Sequence, residues 1–284
     1  MVTHTRTSPP TASLLTEAWQ LATDTATLSG LVIDAVQDGK GCRRAGAILN
    51  SIWAMPDREI IDPSMMVALA HAGNLVLVAS VEGTDIGAAT GFCGPPGSPF
   101  HSHIVGLLDG QTGRGHGLVV KLYQRAWCLQ QGIGEITWTF DPLVSRNAYF
   151  NIHRLGASAS RYYPDFYGEL PDAVNAGQGS DRMLMRWDLT APVGLRYAAG
   201  AADGHTALGR NEDNTPGRYT PPPERAGTAL IEIPRDITEL RRRSPKLALQ
   251  WRQETRTAFT QLMGEGWKIA DVTREGRYIL QRAP

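Results

Sequence analysis

Residues 112–117 read Thr-Gly-Arg-Gly-His-Gly, between an apolar run from His101 to Leu108 and a segment with helical spacing from Gly117 to about Gln131. Three glycines alternating with other residues let successive backbone N–H groups converge on one anion without steric cost. The start of the following helix adds about half a positive charge at the same place. A glycine turn also arises where a strand and a helix only pack closely, so its neighbours have to decide the reading. A dinucleotide site wants Gly-x-Gly-x-x-Gly and a later acidic residue on a strand end, and a P-loop closes on Gly-Lys-Ser/Thr; neither pattern is present.

Upstream, Leu31 to Val36 predicts a strand, and Cys42 to Met55 carries Ala45, Ile48, Leu49 and Trp53 at helical spacing. Leu75 to Ser80 and Ile86 to Cys93 flank the turn-rich residues 82–85 and predict a hairpin. Downstream, Leu118, Leu122, Ala126 and Leu129 mark one helix face, which Gly132 and Gly134 terminate. A strand from Ile136 to Phe140, a helix from Pro142 to Leu155 and a strand from Arg182 to Leu189 follow. Hydrophobic period is lost from Thr190 to Ala226, which includes Pro221 to Pro223, so this part predicts a linker or surface excursion. Leu230 to Ile233 then predicts a strand, and Ser244-Pro245 the start of a helix to about Met263 with Leu247, Trp251, Ala258, Phe259 and Leu262 on one face. A hairpin of Trp267 to Val272 and Arg277 to Leu280 closes the chain. The expected organisation is a flexible start (1–28), a main domain (29–190), a linker (191–226) and a small strand-helix-hairpin unit (227–284) packed on the main domain.

The 284 residues contain 28 Lys plus Arg and 28 Asp plus Glu, so no basic excess points to nucleic acid or an anionic membrane. The apolar runs are too short to span a bilayer, and the N-terminal residues lack a secretory core, which predicts a cytoplasmic protein acting on a small molecule. Cys42, Cys93 and Cys128 are widely spaced, which fits buried thiols rather than a disulfide framework or a metal knuckle. No metal is expected.

With its flanking elements, the turn resembles the pyrophosphate-binding motif R/Q-x-x-G-x-G/A of the GNAT superfamily, with Gly115 and Gly117 on the glycine positions and Thr112 on the first. Residues 136–142 resemble the strand that follows, and residues 145–157 resemble the next helix, with Ala148 and Leu155-Gly156 in place and Ile152 where a tyrosine is usual. The likeness runs from about Ser29 to Leu189 and is nearest to a bacterial subgroup of acetyl- or succinyltransferases. It implies an α/β (α+β) fold: a mixed, mostly antiparallel central sheet flanked by helices, here with a small C-terminal α/β extension. It implies acyl-CoA, acetyl-CoA or succinyl-CoA, as co-substrate and an amine or amino acid as acceptor, with a homodimer left open. Thr112, Gly113, Arg114, Gly115, His116 and Gly117 would cradle the pyrophosphate, Val105, Gly106 and Leu107 would pair with pantetheine, and Asn147 would touch CoA. Catalytic silence, as a CoA-binding module, is the alternative.

Deprotonating an amine of pKa near 10 at pH 7 costs about 4 kcal/mol, so acyl transfer to nitrogen is helped by a base. His101 and His103 alternate on one strand and share a face. They also resemble the His-x-His pair of arylalkylamine N-acetyltransferases, whose second His likewise stands nine residues before the glycine motif; this implies His103 as proton acceptor and His101 as relay. Asp141 suits either a substrate-holding or histidine-orienting carboxylate or the cap of a helix beginning at Pro142. His153 reads as a surface residue, His116 points to solvent, and Tyr149, Tyr162, Tyr163 and Tyr167 are candidate acids. Arg241 to Arg243 fits a solvated helix face or an anion site, and Arg252 or Arg256 a carboxylate clamp if the C-terminal unit covers the cleft.

Overall fold

The computed structural model describes residues 11–53, 59–168, 177–194 and 203–282. They divide into two compact units, Met1–Trp138 with Asp188–Pro192 and Thr139–Trp187 with Val193–Pro284. The division therefore falls within the expected main domain and not at its end.

The first unit opens with α1 (Ala12–Ser29), capped by the Thr11 hydroxyl, which accepts from Leu14 N, and ended by Gly30 at φ 66°. Residues 1–28 were expected to be a flexible start; from Ala12 onward they are helical, while residues 1–10 lie outside the described residues. The buried stripe of α1 is made of Ala18 and Ala22, too small to register as an apolar face in the sequence. Trp19 anchors the helix on α4 (His116–Gln130), with its ring edge-on to Tyr123 at 5.3 Å and its indole N–H donating to Gln130 Oε1 at 3.1 Å.

Strands β1 (Leu31–Ala35), β2 (Leu75–Val81), β3 (Thr84–Cys93) and β4 (Phe100–Leu107) pair antiparallel in sequence order, and β5 (Glu135–Phe140) joins β4 in parallel. Glu82 and Gly83 both take positive φ, as the two-residue turn between β2 and β3 demands. Helices α2 (Gly39–Trp53) and α3 (Pro63–His71) cover β2 and β3 through Cys42, Ala45, Leu49 and Met66 against Val76, Val78 and Ala88. Fully burying a side chain such as Leu49 contributes roughly 1.5–3 kcal/mol.

In the second unit the end of β5 is followed across the sheet by β7 (Arg182–Asp188) and then β6 (Ser158–Tyr163), the latter two antiparallel. The sheet is thus mixed and mostly antiparallel, flanked by helices. The helix expected from Pro142 begins only at α5 (Ser145–Ala148) and continues as a π-helical turn, Tyr149–Arg154. Asp141 instead closes a turn by accepting from Leu143 N at 3.0 Å. A second sheet orders β10 (Trp267–Val272), β11 (Arg277–Arg282), β9 (Thr228–Glu232) and β8 (His205–Leu208), with α6 (Ile237–Arg243) and α7 (Pro245–Gly264). The C-terminal strand, helix and hairpin lie where expected. β8 falls inside the expected linker, and a four-residue edge strand is too short to show a period.

Candidate active site

The turn after β4 is built as its glycines require. Gly110, Gly113 and Gly115 sit at φ 78°, 82° and 89°, a region that costs other residues roughly 1–2 kcal/mol. A Cβ on Gly113 or Gly115 would meet nothing within 4 Å, so the turn is open on that side. Gly115 is also the N-cap of α4 and provides no side-chain hydrogen bond, which leaves the leading N–H groups of the helix directed outward. His116, expected to point to solvent, is buried at 4% exposure. Its buried Nδ1 has no hydrogen-bond partner among the described residues, at the positive end of the helix. The residues present therefore fit an anionic group such as a pyrophosphate.

Strand β4 pairs along one edge with β3, through Ala89↔Val105, Ala88↔Gly106 and Gly87↔Leu107. On its other edge the pairing with β5 is confined to Phe100↔Ile136 and His101↔Thr137. Val105, Gly106 and Leu107 thus lie on a stretch that β5 does not pair. Gly106 also has a packing reason, since a Cβ there would approach Ile52 and Trp53 of α2 to 2.7 Å.

His101 and His103 share a face, with ring centroids 6.2 Å apart and the Phe92 ring 5.4 and 5.9 Å from them. His101 Nδ1 lies 3.2 Å from Thr137 Oγ1, which ties its ring to β5. Burial, with smaller contributions from His103 and Lys121, pushes His101 down to about 4. Burial also lowers His103, whose residue stays on the exposed side of the strand. Both imidazoles are neutral at pH 7 and able to accept a proton.

The opposite side of β4 holds a buried polar chain that the sequence reading missed. Lys121 Nζ donates to Ser102 Oγ at 3.0 Å, Ser102 Oγ donates to Gln124 Oε1 at 3.1 Å, and the ammonium stands 4.1 Å from the Trp138 ring centroid. Burial pushes Lys121 down to about 7. In the sequence the only signal is a lysine on the apolar stripe of α4, between Leu118 and Leu122.

Asp141 belongs to the second unit, and its carboxylate is fully engaged. Arg252 binds it in a fork, Nη1 to Oδ1 at 2.8 Å and Nη2 to Oδ2 at 2.7 Å, and Arg241 Nη2 donates to Oδ2 at 2.5 Å. Burial alone would raise its pKa, but the two guanidiniums outweigh that and hold it well below the usual carboxylate range. Such a group is a poor proton acceptor, and it anchors α6 and α7 to the end of β5. Arg252 and Arg256, the expected clamps, are likewise paired internally, Arg256 with Asp181 at 2.6 Å and Asp165 at 2.9 Å. Asn147 is an exposed residue of α5.

Ile152, at the position where a tyrosine is usual in the resembled family, is 1% exposed in the π-helical turn. Its neighbour His153 is not the surface residue expected: Nδ1 lies 3.1 Å from both oxygens of the buried Asp271, and the ring stacks on Tyr149 at 4.7 Å. Among the candidate acids, Tyr162 is buried against Asp181 and pushed strongly upward, first by burial and then by that carboxylate. The Tyr167 hydroxyl lies 3.2 Å from Thr139 Oγ1. Burial raises the thiols of Cys42, Cys93 and Cys128, opposite to what a nucleophile needs. No helix among the described residues is long and apolar enough to cross a membrane.

No protein-family model matches the chain, and no curated protein matches it in sequence. Among solved structures, it is similar to a ribosomal-protein-alanine N-acetyltransferase from Brucella melitensis at 16% identity, over 55% of this chain and 99% of that one, with a TM-score of 0.44. It is similar at 13% identity to an acetyltransferase of the GNAT family from Streptococcus pneumoniae, over 55% of this chain and 98% of that one, TM-score 0.44. At 8% identity it is similar to a GNAT family acetyltransferase from Elizabethkingia anophelis with acetyl-CoA bound, over 56% and 98% of the two chains, TM-score 0.43.

Proposed function

We propose that this protein is an acyl-CoA-dependent N-acyltransferase of the GNAT type, moving an acetyl or succinyl group to the amine of a small molecule or amino acid. The observation that carries the reading is the β4-turn-α4 unit. A strand that leaves its parallel neighbour after two residue pairs runs into a left-handed glycine turn, and the helix beyond starts uncapped beside the unpartnered Nδ1 of His116. Thr112, Gly113, Arg114, Gly115, His116 and Gly117 would hold the pyrophosphate on backbone N–H groups and the helix end. Val105, Gly106 and Leu107 offer the unpaired backbone edge to the pantetheine arm, and a backbone N–H near Leu107 would polarise the thioester carbonyl.

His103, neutral at pH 7, takes the amine proton, and His101, fixed by Thr137, relays it. Transfer is direct: the neutral amine nitrogen bonds the acyl carbon, the C–S bond breaks, and CoA leaves as the thiol with the second proton of the attacking nitrogen, binding of both substrates supplying the acceleration through proximity. Asp141 stands outside this proton path as the partner of Arg241 and Arg252. The buried Ile152 favours a second reading, a CoA-binding module without turnover. Titration of acetyl-CoA and succinyl-CoA by calorimetry, followed by thiol release across amines and amino acids, separates the two. Binding with thiol release supports transfer, binding alone supports the module, and no binding of either thioester overturns both.

A further inference from the structure

In the second unit the guanidiniums of Arg182, Arg241 and Arg252 lie around the buried carboxylate of Asp141. Arg182, at the start of β7, lies near Arg241 and Arg252, and of the three guanidiniums only the latter two pair with Asp141. Asp181, adjacent in sequence, is already held by Arg256 and by the Tyr162 hydroxyl. Among the described residues, no carboxylate forms an ion pair with Arg182. Its Nη1 donates to the Asp181 carbonyl at 2.9 Å, and its guanidinium lies 5.3 Å from the Tyr167 ring centroid. The side chain of Arg241 is 9% exposed, and its Nε is a buried donor with no hydrogen-bond partner among the described residues. Leaving a charged donor buried and unmatched is costly unless something else binds it.

We infer that Arg182 and Arg241 form a binding site for the carboxylate of a small molecule, with the Tyr167 and Thr139 hydroxyls beside it. The guanidinium edge is planar and offers paired donors that match the two oxygens of a carboxylate, and the hydroxyl pair, bonded to each other, leaves one further O–H donor. Arg252 is not part of this site, because its fork is closed on Asp141 and its Nε donates to the Gln178 carbonyl at 3.2 Å. Burial lowers Arg182, Asp141 and Tyr167 offset part of this, and the charges of Arg252 and Arg241 lower it further, the direction expected where an anion is wanted. The occupant that fits this site is the carboxylate of a small molecule such as an amino acid.

The test is calorimetry on the full chain without any acyl-CoA, titrating leucine, phenylalanine and glutamate, each compared with the amine left by removing its α-carboxylate, and then succinate and inorganic phosphate. At least one carboxylate should bind, with its decarboxylated counterpart weaker by roughly tenfold or more, the loss of a charge-assisted hydrogen-bonded contact. Arg182→Gln should abolish that difference while circular dichroism stays unchanged, and Arg182→Lys should retain part of it. The inference is overturned if no carboxylate binds, if phosphate alone binds, or if the folded Arg182→Gln protein binds as tightly as the parent. A chain that binds carboxylates through Arg182 but never releases thiol keeps this site and loses acyl transfer.

Discussion

His103 offers a neutral imidazole on the exposed side of β4, and the proposed chemistry depends on it. His103→Ala should lower turnover about 10²- to 10⁴-fold with acyl-CoA affinity nearly unchanged, whereas His101→Ala should be milder. Because burial lowers both imidazoles, the acid limb of kcat/KM should fall below pH 6.5, and a limb above that value would point to another base. Lys121 is a different case, a buried ammonium whose partners are uncharged. Its pKa falls from 10.5 to about 7, so between those values the unfolded chain binds a proton that the folded chain lacks, and stability rises with pH. Below pH 7 both states are charged and the full penalty is present, at most about 5 kcal/mol. Lys121→Met should therefore stabilise the fold, most at pH 6 and least near pH 10, while Ser102 keeps its bond to Gln124. Thermal melts across that range decide it, and a variant destabilised at every pH would show that the ammonium's contacts with Ser102 and Trp138 outweigh its burial.

The turn was legible in the alternating glycines at 113, 115 and 117, of which Gly113 and Gly115 take left-handed φ values that strain other residues and Gly117 lies in the first turn of α4. Gly115→Val should lose acyl-CoA binding in calorimetry and also lower the melting temperature, since φ 89° strains a β-branched residue even with open space around it. A folded variant that binds acyl-CoA like the parent would move the site elsewhere. The His101-His103 face was legible from strand alternation for the same reason, a fixed period of two. Other elements left no such mark. α1 buries only alanines, β8 is four residues long, and the π-helical turn at Tyr149–Arg154 departs from the 3.6 period that finds helices. His153 was misread on that account, because its partner Asp271 is 118 residues away. Asp141 was misread likewise, since its meaning lies in Arg241 and Arg252, 100 and 111 residues later.

At the scale of the whole molecule, those long-range pairs make the C-terminal segment a structural requirement of residues 139–187. Among the described residues Asp141 forms its ion pairs with Arg241 and Arg252, Ser145 Oγ donates to the Arg235 carbonyl at 2.7 Å, and the buried Tyr278 hydroxyl donates to the Pro142 carbonyl at 2.7 Å. Fully buried Trp251, Phe259 and Leu262 give α7 an apolar face that a 59-residue piece from Ala226 onward could not cover well by itself. A chain ending at Thr190 should therefore aggregate or melt well below the parent, and one that stays monomeric, soluble and equally stable would refute the argument. The milder version is Arg252→Ala, which leaves Asp141 buried with Arg241 alone; removing one partner of a buried pair costs roughly 3–5 kcal/mol. The pH dependence gives the sign. Asp141 is held below its unfolded pKa, so its contribution is fully present above about pH 4 and is lost only as the pH falls through the lower folded value. The gap between parent and Arg252→Ala in chemical denaturation should accordingly be constant from pH 5 to 8 and narrow in stronger acid. A gap that already narrows between pH 7 and 5 would assign the stability to a different group.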